Sequence, residues 1–241
     1  MLIGITRVRN EALIIADTLR HYLERCEQVL LYDDASTDET AEIAESFDRV
    51  TVTRGREWRR DRTAEETRHR GLMLEQARNV GADWCLCFDA DERLVGELPE
   101  LKGDGYRFRL FDGYLTERRR AVYQGGELAD LPRMWGPEYR DILILFRVSK
   151  ARFIGDDRRE PVLSGRAERA PVFVKHFGKC LSVQHWEETC AYYSTPFWPD
   201  RYRAKWQARK GKAIHTASDF GGALQRWDDL MHNPKSWSRL T

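Results

Sequence analysis

The chain has 241 residues, 41% of them hydrophobic and 33% charged, enough for one globular domain, or one domain with a substantial extension. Forty Lys and Arg stand against 39 Asp and Glu, a formal charge of +1, which gives no global pull toward nucleic acid or an anionic membrane. The basic residues are mostly Arg, whose planar fork suits phosphate and carboxylate, although genome composition also produces such a bias. The five cysteines, Cys26, Cys85, Cys87, Cys180 and Cys190, lack zinc-knuckle spacing. Cys85 and Cys87 share one face of an apolar run and read as buried thiols. An odd count with no disulfide framework fits a reducing compartment. The opening MLIGITRVRNE is too short in apolar residues for a signal-peptide core. No run approaches the ~20 apolar residues of a membrane span, so a soluble, cytoplasmic protein is expected.

Strand and helix signals alternate over the first 90 residues. Leu2 to Ile5 is a short apolar strand. Residues 11–26 carry Ile15, Leu19, Tyr22, Leu23 and Cys26 on one helical stripe. Val29 to Tyr32 is a second strand, stopping at Asp33-Asp34. Ser36-Thr37-Asp38-Glu39 has the pattern of a capping box opening a helix with Ile43 and Phe47 inward. Val50 to Thr53 is a third strand, followed by an Arg-rich rim loop from Arg54 to Arg62. Thr63-Ala64-Glu65-Glu66 is another capping box, heading a helix with Met73, Ala77 and Val80 on one face. Trp84 to Phe88 is a fourth strand, ending at Asp89-Ala90-Asp91. Strands separated by helices imply parallel βαβ units, in which ligands bind beyond the carboxyl ends of the strands. The two acidic clusters therefore fall on one rim.

After residue 100 the pattern changes to a mixed or antiparallel continuation. Tyr106 to Phe111 alternates Arg with Tyr, Phe and Leu, Ile142 to Val148 is strongly apolar, and Val172 to Val174 ends at Lys175-His176. From Ser182 the chain reads as helical and aromatic, with Trp186, Tyr192, Tyr193, Trp198, Trp206, Trp227 and Trp237. Those aromatics pack helices onto a core, or line an acceptor groove by stacking on sugar faces. The basic-aromatic run WPDRYRAKWQARKGK also suits a membrane interface or nucleic acid. Neither an internal repeat nor a low-complexity segment is present.

Asp-X-Asp after an apolar strand is a metal and diphosphate signature. A diphosphate concentrates negative charge, a hard divalent cation such as Mn²⁺ or Mg²⁺ neutralises it, and such ions prefer carboxylate oxygens. Alone, such a triplet is also a common solvated turn.

The sequence ITRVRNE, then VLLYDDASTDET, then DWCLCFDADERL resembles family 2 glycosyltransferases of GT-A fold, most clearly over residues 1–95. The resemblance implies an α/β, Rossmann-like mixed sheet flanked by helices, with a helical, aromatic-rich C-terminal extension. In domain terms it implies a glycosyltransferase domain over 1–180, with a nucleotide-binding half to 95 and an acceptor half to 180, and an extension over 181–241. It implies further that the loop Thr6-Arg7-Val8, with Glu11 beside it, lines the nucleoside pocket. One of Asp33 and Asp34, with Asp33 preferred, would accept from the base. Asp89 and Asp91, flanking Ala90, would hold the metal. Arg68, in TRHRG, would meet the diphosphate or nucleoside, or be a solvated helix residue. His176 is where many GT-A enzymes complete the metal site, though a lone His after a strand is often structural.

An inverting transfer needs a carboxylate base for the acceptor hydroxyl. FIGDDRREPVL offers Asp156, Asp157 and Glu160, and Glu160 is preferred, although Arg159 stands where some family members carry His. The implied donor is a nucleoside diphosphate sugar, UDP-linked by preference. The acceptor is a hydroxyl on a glycan, lipid-linked sugar, small molecule or another partner, and a nucleic acid acceptor gains no support from net charge. Peripheral attachment to a membrane surface fits the basic-aromatic tail. Two rivals share the sheet: a sugar-phosphate nucleotidyltransferase, disfavoured because ITRVRNEA has no glycine-rich phosphate loop, and a binding module without turnover.

Overall fold

The computed structural model describes residues 1–57, 61–155 and 159–240. In chain order the elements are β1 (Leu2–Val8), α1 (Ile15–Leu23), β2 (Gln28–Asp33), α2 (Thr40–Glu45), β3 (Val50–Arg54), α3 (Arg62–Asn79), β4 (Trp84–Cys87), β5 (Glu92–Val95), β6 (Gly105–Tyr114) and β7 (Met134–Arg147). Then follow β8 (Ala151–Arg152), β9 (Val162–Leu163), β10 (Ala167–His176), α4 (Val183–Tyr193), α5 (Asp200–Gln207), α6 (Trp227–His232) and β11 (Ser238–Arg239). They form the α/β class, mixed strands flanked by helices with an aromatic C-terminal region.

The chain gathers into two compact units. The first comprises Met1–Ala90, Gly96–Phe108 and Ile142–Pro171, the second Asp91–Val95, Arg109–Asp141 and Val172–Thr241. Strands of the first unit pair in the order β3-β2-β1-β4-β7-β6. β1 is parallel to both β2 and β4, while β7 returns antiparallel to β4. Ile3, Ile5, Leu30, Tyr32, Met73, Leu74, Ala77, Cys85 and Phe146 form its core. On β1, Gly4 points away from Ile3 and Ile5, as strand alternation requires. A β-carbon there would lie 3.0 Å from Phe88 and from Val29, so glycine permits the close packing of that face, where Tyr22 of α1 stacks on Phe88 at 3.5 Å.

The helical stripe of residues 11–26 is buried throughout, but α1 itself covers only Ile15–Leu23. Two expectations need correction. Thr6, Arg7 and Val8 do not form a loop; they pair with Leu31, Tyr32 and Asp33 and extend β1. Neither capping box forms. α3 is capped by Asp61, whose carboxylate accepts from the N–H groups of Thr63 and Ala64. Ahead of α2 the Ser36 hydroxyl accepts from the N–H of Asn10 instead.

In the second unit the order is β7-β6-β10-β5, with β11 parallel to β7. The Tyr106–Phe111 alternation holds as far as Leu110, and from Phe111 to Tyr114 both faces are buried. The tail aromatics pack on one another. Tyr193 stacks on Trp206 at 4.8 Å, while Trp237 and Trp227 stand edge-on to Phe111 at 5.4 and 5.9 Å. All five cysteines are free and buried. Among the described residues no helix is long and apolar enough to cross a membrane.

Candidate functional site

In the first unit the ends of β1 and β2 are locked together by the acidic motif. Ser36, Thr40 and Asp38 accept, in turn, from the backbone N–H groups of Asn10, Glu11 and Ala12 at 2.9, 2.7 and 3.1 Å. Thr37 donates its N–H to the Asn10 side chain at 2.8 Å. The every-other-residue pattern Ser36-X-Asp38-X-Thr40 is thus a row of acceptors tying one loop to the other. Asn10 and Ala35 both adopt positive φ, 55° and 54°. Asn tolerates this conformation, whereas Ala adopts it at a cost that the surrounding bonds offset.

This frame separates two adjacent carboxylates. Asp34 is fully buried, and its Oδ2 accepts from Arg7 at 2.5 Å and Arg62 at 3.0 Å. Arg9 donates to the Asp34 carbonyl oxygen at 2.5 Å. Asp33 is also buried, and its Oδ2 accepts from the Ser36 N–H at 3.2 Å; the Oδ1 atoms of both Asp33 and Asp34 and the Thr6 hydroxyl are buried with no hydrogen-bond partner among the described residues. Buried polar atoms are satisfied in the great majority of cases, so these three acceptors mark a place where a ligand would complete the structure. Val8 is buried beside them, and Glu11 takes part through its backbone, accepting the first N–H groups of the following turn.

From Asp34 an alternating chain of charges runs to the triplet. Arg7 reaches Glu66 at 2.9 Å, Arg70 lies 3.7 Å from Glu66, and Arg70 donates to Asp89 Oδ1 at 3.0 Å. Arg159 donates to Asp89 Oδ2 at 3.1 Å. Arg62, Glu66 and Arg70 stand at i, i+4 and i+8 on α3, one face of a helix. That spacing was the legible sign of the chain, and sequence reasoning passed over it. Among the described residues Arg7, Arg9, Arg62, Arg70 and Arg159 stand against Asp33, Asp34, Glu66 and Asp89, an excess of one cation that favours an anion. Burial works against charge on Arg70, but Asp89 and Glu66 outweigh it and raise its pKa. Arg68 is bonded to Glu65, with about half of its side chain exposed. Next to it, His69 stacks on Tyr32 at 3.8 Å and meets Glu65 at 2.8 Å. Burial, with Arg7 and Arg68 nearby, pushes the His69 imidazole down to about 3.

The triplet is anchored from α1, whose Thr18 hydroxyl donates to the Ala90 carbonyl at 2.6 Å. In the second unit, the antiparallel register sets His176 opposite Glu92 and so brings His176 Nε2 to 3.3 Å from Asp91 Oδ2. Its Nδ1 lies 2.6 Å from Asp112. Burial opposes charge on His176, but Asp91 and Asp112 outweigh it and lift the imidazole to about 10. A carboxylate and an imidazole form an acceptable donor pair for Mn²⁺. The missing side chain of Gly178 leaves room beside them: a β-carbon there would overlap Asp91 Oδ2 and lie 3.0 Å from His176 Nε2. The pair therefore fits a divalent cation. Among the described residues no group of three His, Cys, Asp or Glu has ligating geometry.

Of the base candidates, Asp156 and Asp157 lie outside the described residues. Glu160 pairs with Arg107 at 3.0 Å and is about one-third exposed. The residues that sequence reasoning missed are Arg62, Glu66 and Arg70 in the first unit and Asp112 in the second.

In open α/β sheets ligands bind beyond the carboxyl ends of the parallel strands, where these carboxylates and arginines lie. Residues 5–99 match the model of glycosyl transferase family 2, the family that the three motifs resemble. Among solved structures, that of mannosyl-3-phosphoglycerate synthase from Rubrobacter xylanophilus is similar at 21% identity, covering 55% of this chain and 44% of that one, with a TM-score of 0.29. The similarity thus spans less than half of that chain's length and is too remote to carry substrate or mechanism. No curated protein matches the chain.

Proposed function

We propose that the protein is a glycosyltransferase moving one sugar from a nucleoside diphosphate sugar, UDP-linked, to an acceptor hydroxyl with inversion. The observation that carries this reading is the unpartnered Oδ1 of Asp33, held at the stapled strand ends inside the family-matched segment. A carboxylate oxygen there accepts a base imide N–H. The arginine excess between Asp34 and Asp89 suits the diphosphate, which Arg forks bind in two-pronged fashion. In this reading Asp89 and Asp91 would be the metal carboxylates and His176 the nitrogen ligand, Asp89 turning from Arg70 and Arg159 to the ion. The cation's contribution, when bound, is charge neutralisation on the departing diphosphate. In the transfer itself, the acceptor oxygen bonds to the sugar C1 and the C1–O bond to the diphosphate breaks, its electron pair leaving with the phosphate. The hydroxyl proton passes to a carboxylate, Glu160 or one of Asp156 and Asp157. A cytoplasmic location accompanies this reading.

The test is hydrolysis and transfer with a panel of nucleotide sugars and Mn²⁺. One donor is expected to yield nucleoside diphosphate, and Asp91→Asn is expected to lose about a hundredfold or more of that rate while the protein stays folded. Full activity of D91N in the presence of chelator would overturn the metal assignment. Diphosphate release from a nucleoside triphosphate and a sugar phosphate would replace the reading by a nucleotidyltransferase. One observation favours a second reading, a nucleotide-sugar-binding module: both Asp89 oxygens are occupied by Arg70 and Arg159. Such a module would gain thermal stability from a nucleotide sugar and hydrolyse none.

A further inference from the structure

Glu138 lies on β7 in the second unit, 9% exposed. Its Oε2 is buried without a hydrogen-bond partner. Leaving a buried carboxylate oxygen unsatisfied is costly, yet the surroundings are shaped to keep it so. Two glycines make the cradle: a β-carbon at Gly136 would lie 2.9 Å from Oε2, and one at Gly222 would overlap Oε1. The same Gly136 position is 3.1 Å from Ser218 and 3.2 Å from the Tyr114 ring. Gly222 closes a tight turn, in which its N–H and that of Phe220 donate to the Ser218 hydroxyl at 2.9 and 3.2 Å. Phe220, at the tip of this turn, is 57% exposed. A buried acceptor without a donor thus lies under a turn that presents an exposed aromatic ring.

The charges nearby define the missing donor. Arg140, two residues along the same face of β7, donates to Asp112 at 2.7 Å. Lys179 bridges Asp112 and Asp219, each at 2.7 Å, and Arg209 donates to Asp219 at 2.5 Å. These cations, and His176 at 2.6 Å from Asp112, are taken up by Asp112 and Asp219. A ligand completing Glu138 therefore needs a hydrogen-bond donor.

We propose that Glu138 and Phe220 form a sugar-binding subsite in the second unit, with Glu138 accepting a sugar hydroxyl and the Phe220 ring packing on a sugar face. The proposal deepens the transferase reading, since it assigns a sugar as the hydroxyl-bearing acceptor. Amphipathic sugar rings suit this pairing: an aromatic face covers their C–H groups, and a carboxylate makes the stronger, charge-assisted bond to a hydroxyl.

The experiment is titration of the whole protein with methyl α-D-glucopyranoside and methyl α-D-mannopyranoside, followed by saturation-transfer NMR. At least one glycoside is expected to bind, and both Glu138→Ala and Phe220→Ala are expected to weaken it about tenfold or more. Glu138→Gln, of the same shape, covers the case in which the alanine variant fails to fold, and should also bind more weakly than wild type. Absence of binding by the wild-type protein, or undiminished binding in folded E138Q and F220A, overturns the subsite. Donor hydrolysis measured in parallel separates the two readings. Hydrolysis without glycoside binding leaves the transferase and removes the subsite; glycoside binding without hydrolysis does the reverse.

Discussion

Adjacent strand residues face opposite sides, and at the end of β2 that alternation gives two neighbouring carboxylates different chemistry. Each keeps one unpartnered oxygen, but the other oxygen of Asp34 meets the guanidinium groups of Arg7 and Arg62, whereas that of Asp33 accepts from the Ser36 N–H. The acidic pair was legible in the sequence; its division of labour was not, because Arg62 comes from 28 positions away. His69 illustrates a group with no sequence signal at all. Its folded pKa lies near 3 against an ordinary 6.5, so below pH 6.5 the unfolded chain takes up a proton that the folded one refuses. Stability on this account is full above pH 6.5 and falls as pH drops from 6.5 toward 3, by at most about 1.4 kcal/mol per pH unit. Urea titrations at pH 7 and pH 5 should show a smaller loss for His69→Gln than for wild type. Equal losses in the two proteins would discard the assignment.

Among the elements, α3 decides most about the rim. The Thr63-X-X-Glu66 pattern satisfies a capping box on paper, but the chain enters the helix two residues earlier and Asp61 takes the capping role. The consequence reaches the site: Glu66, released from capping, meets Arg7 and Arg70 instead. Local sequence could not choose between the two caps, since both use residue types that suit a helix start. Asp61→Ala should cost about 1 kcal/mol, or roughly 2–4 °C in melting temperature for a chain of this size. Calorimetry reads this directly, and an unchanged melting point would return the cap to Thr63. The acidic loop before α2 is similar. Ser36, Asp38 and Thr40 look like helix-capping residues, yet they bind the backbone of residues 10–12, partners that no local window contains.

At the scale of the whole molecule, the units are interleaved segments rather than consecutive stretches. The tail from residue 181 clusters with residues 109–141 and 172–180. Trp237 covers Phe111 and Phe173 at 5.4 and 5.5 Å, Trp135 and Gln225 exchange backbone hydrogen bonds, and β11 extends β7. A chain ending at residue 181 is therefore expected to expose these aromatic faces, to lose solubility, and to be cut rapidly within 109–141 in limited proteolysis. A soluble truncated chain with full protease resistance would show that the tail is dispensable. The sequence by itself determined the α/β alternation, the apolar stripes and the acidic strand ends, because periodicity and strand-stop residues are local properties. It also carried the family resemblance, since the three motifs lie in contiguous runs. Only the tertiary structure decided that Asp34 is paired with distant arginines while Asp33 beside it accepts from a backbone N–H, and that Glu138 keeps a buried oxygen without a donor. Both facts depend on contacts between residues far apart in the chain, and on the glycines that keep side chains out of the space around Glu138.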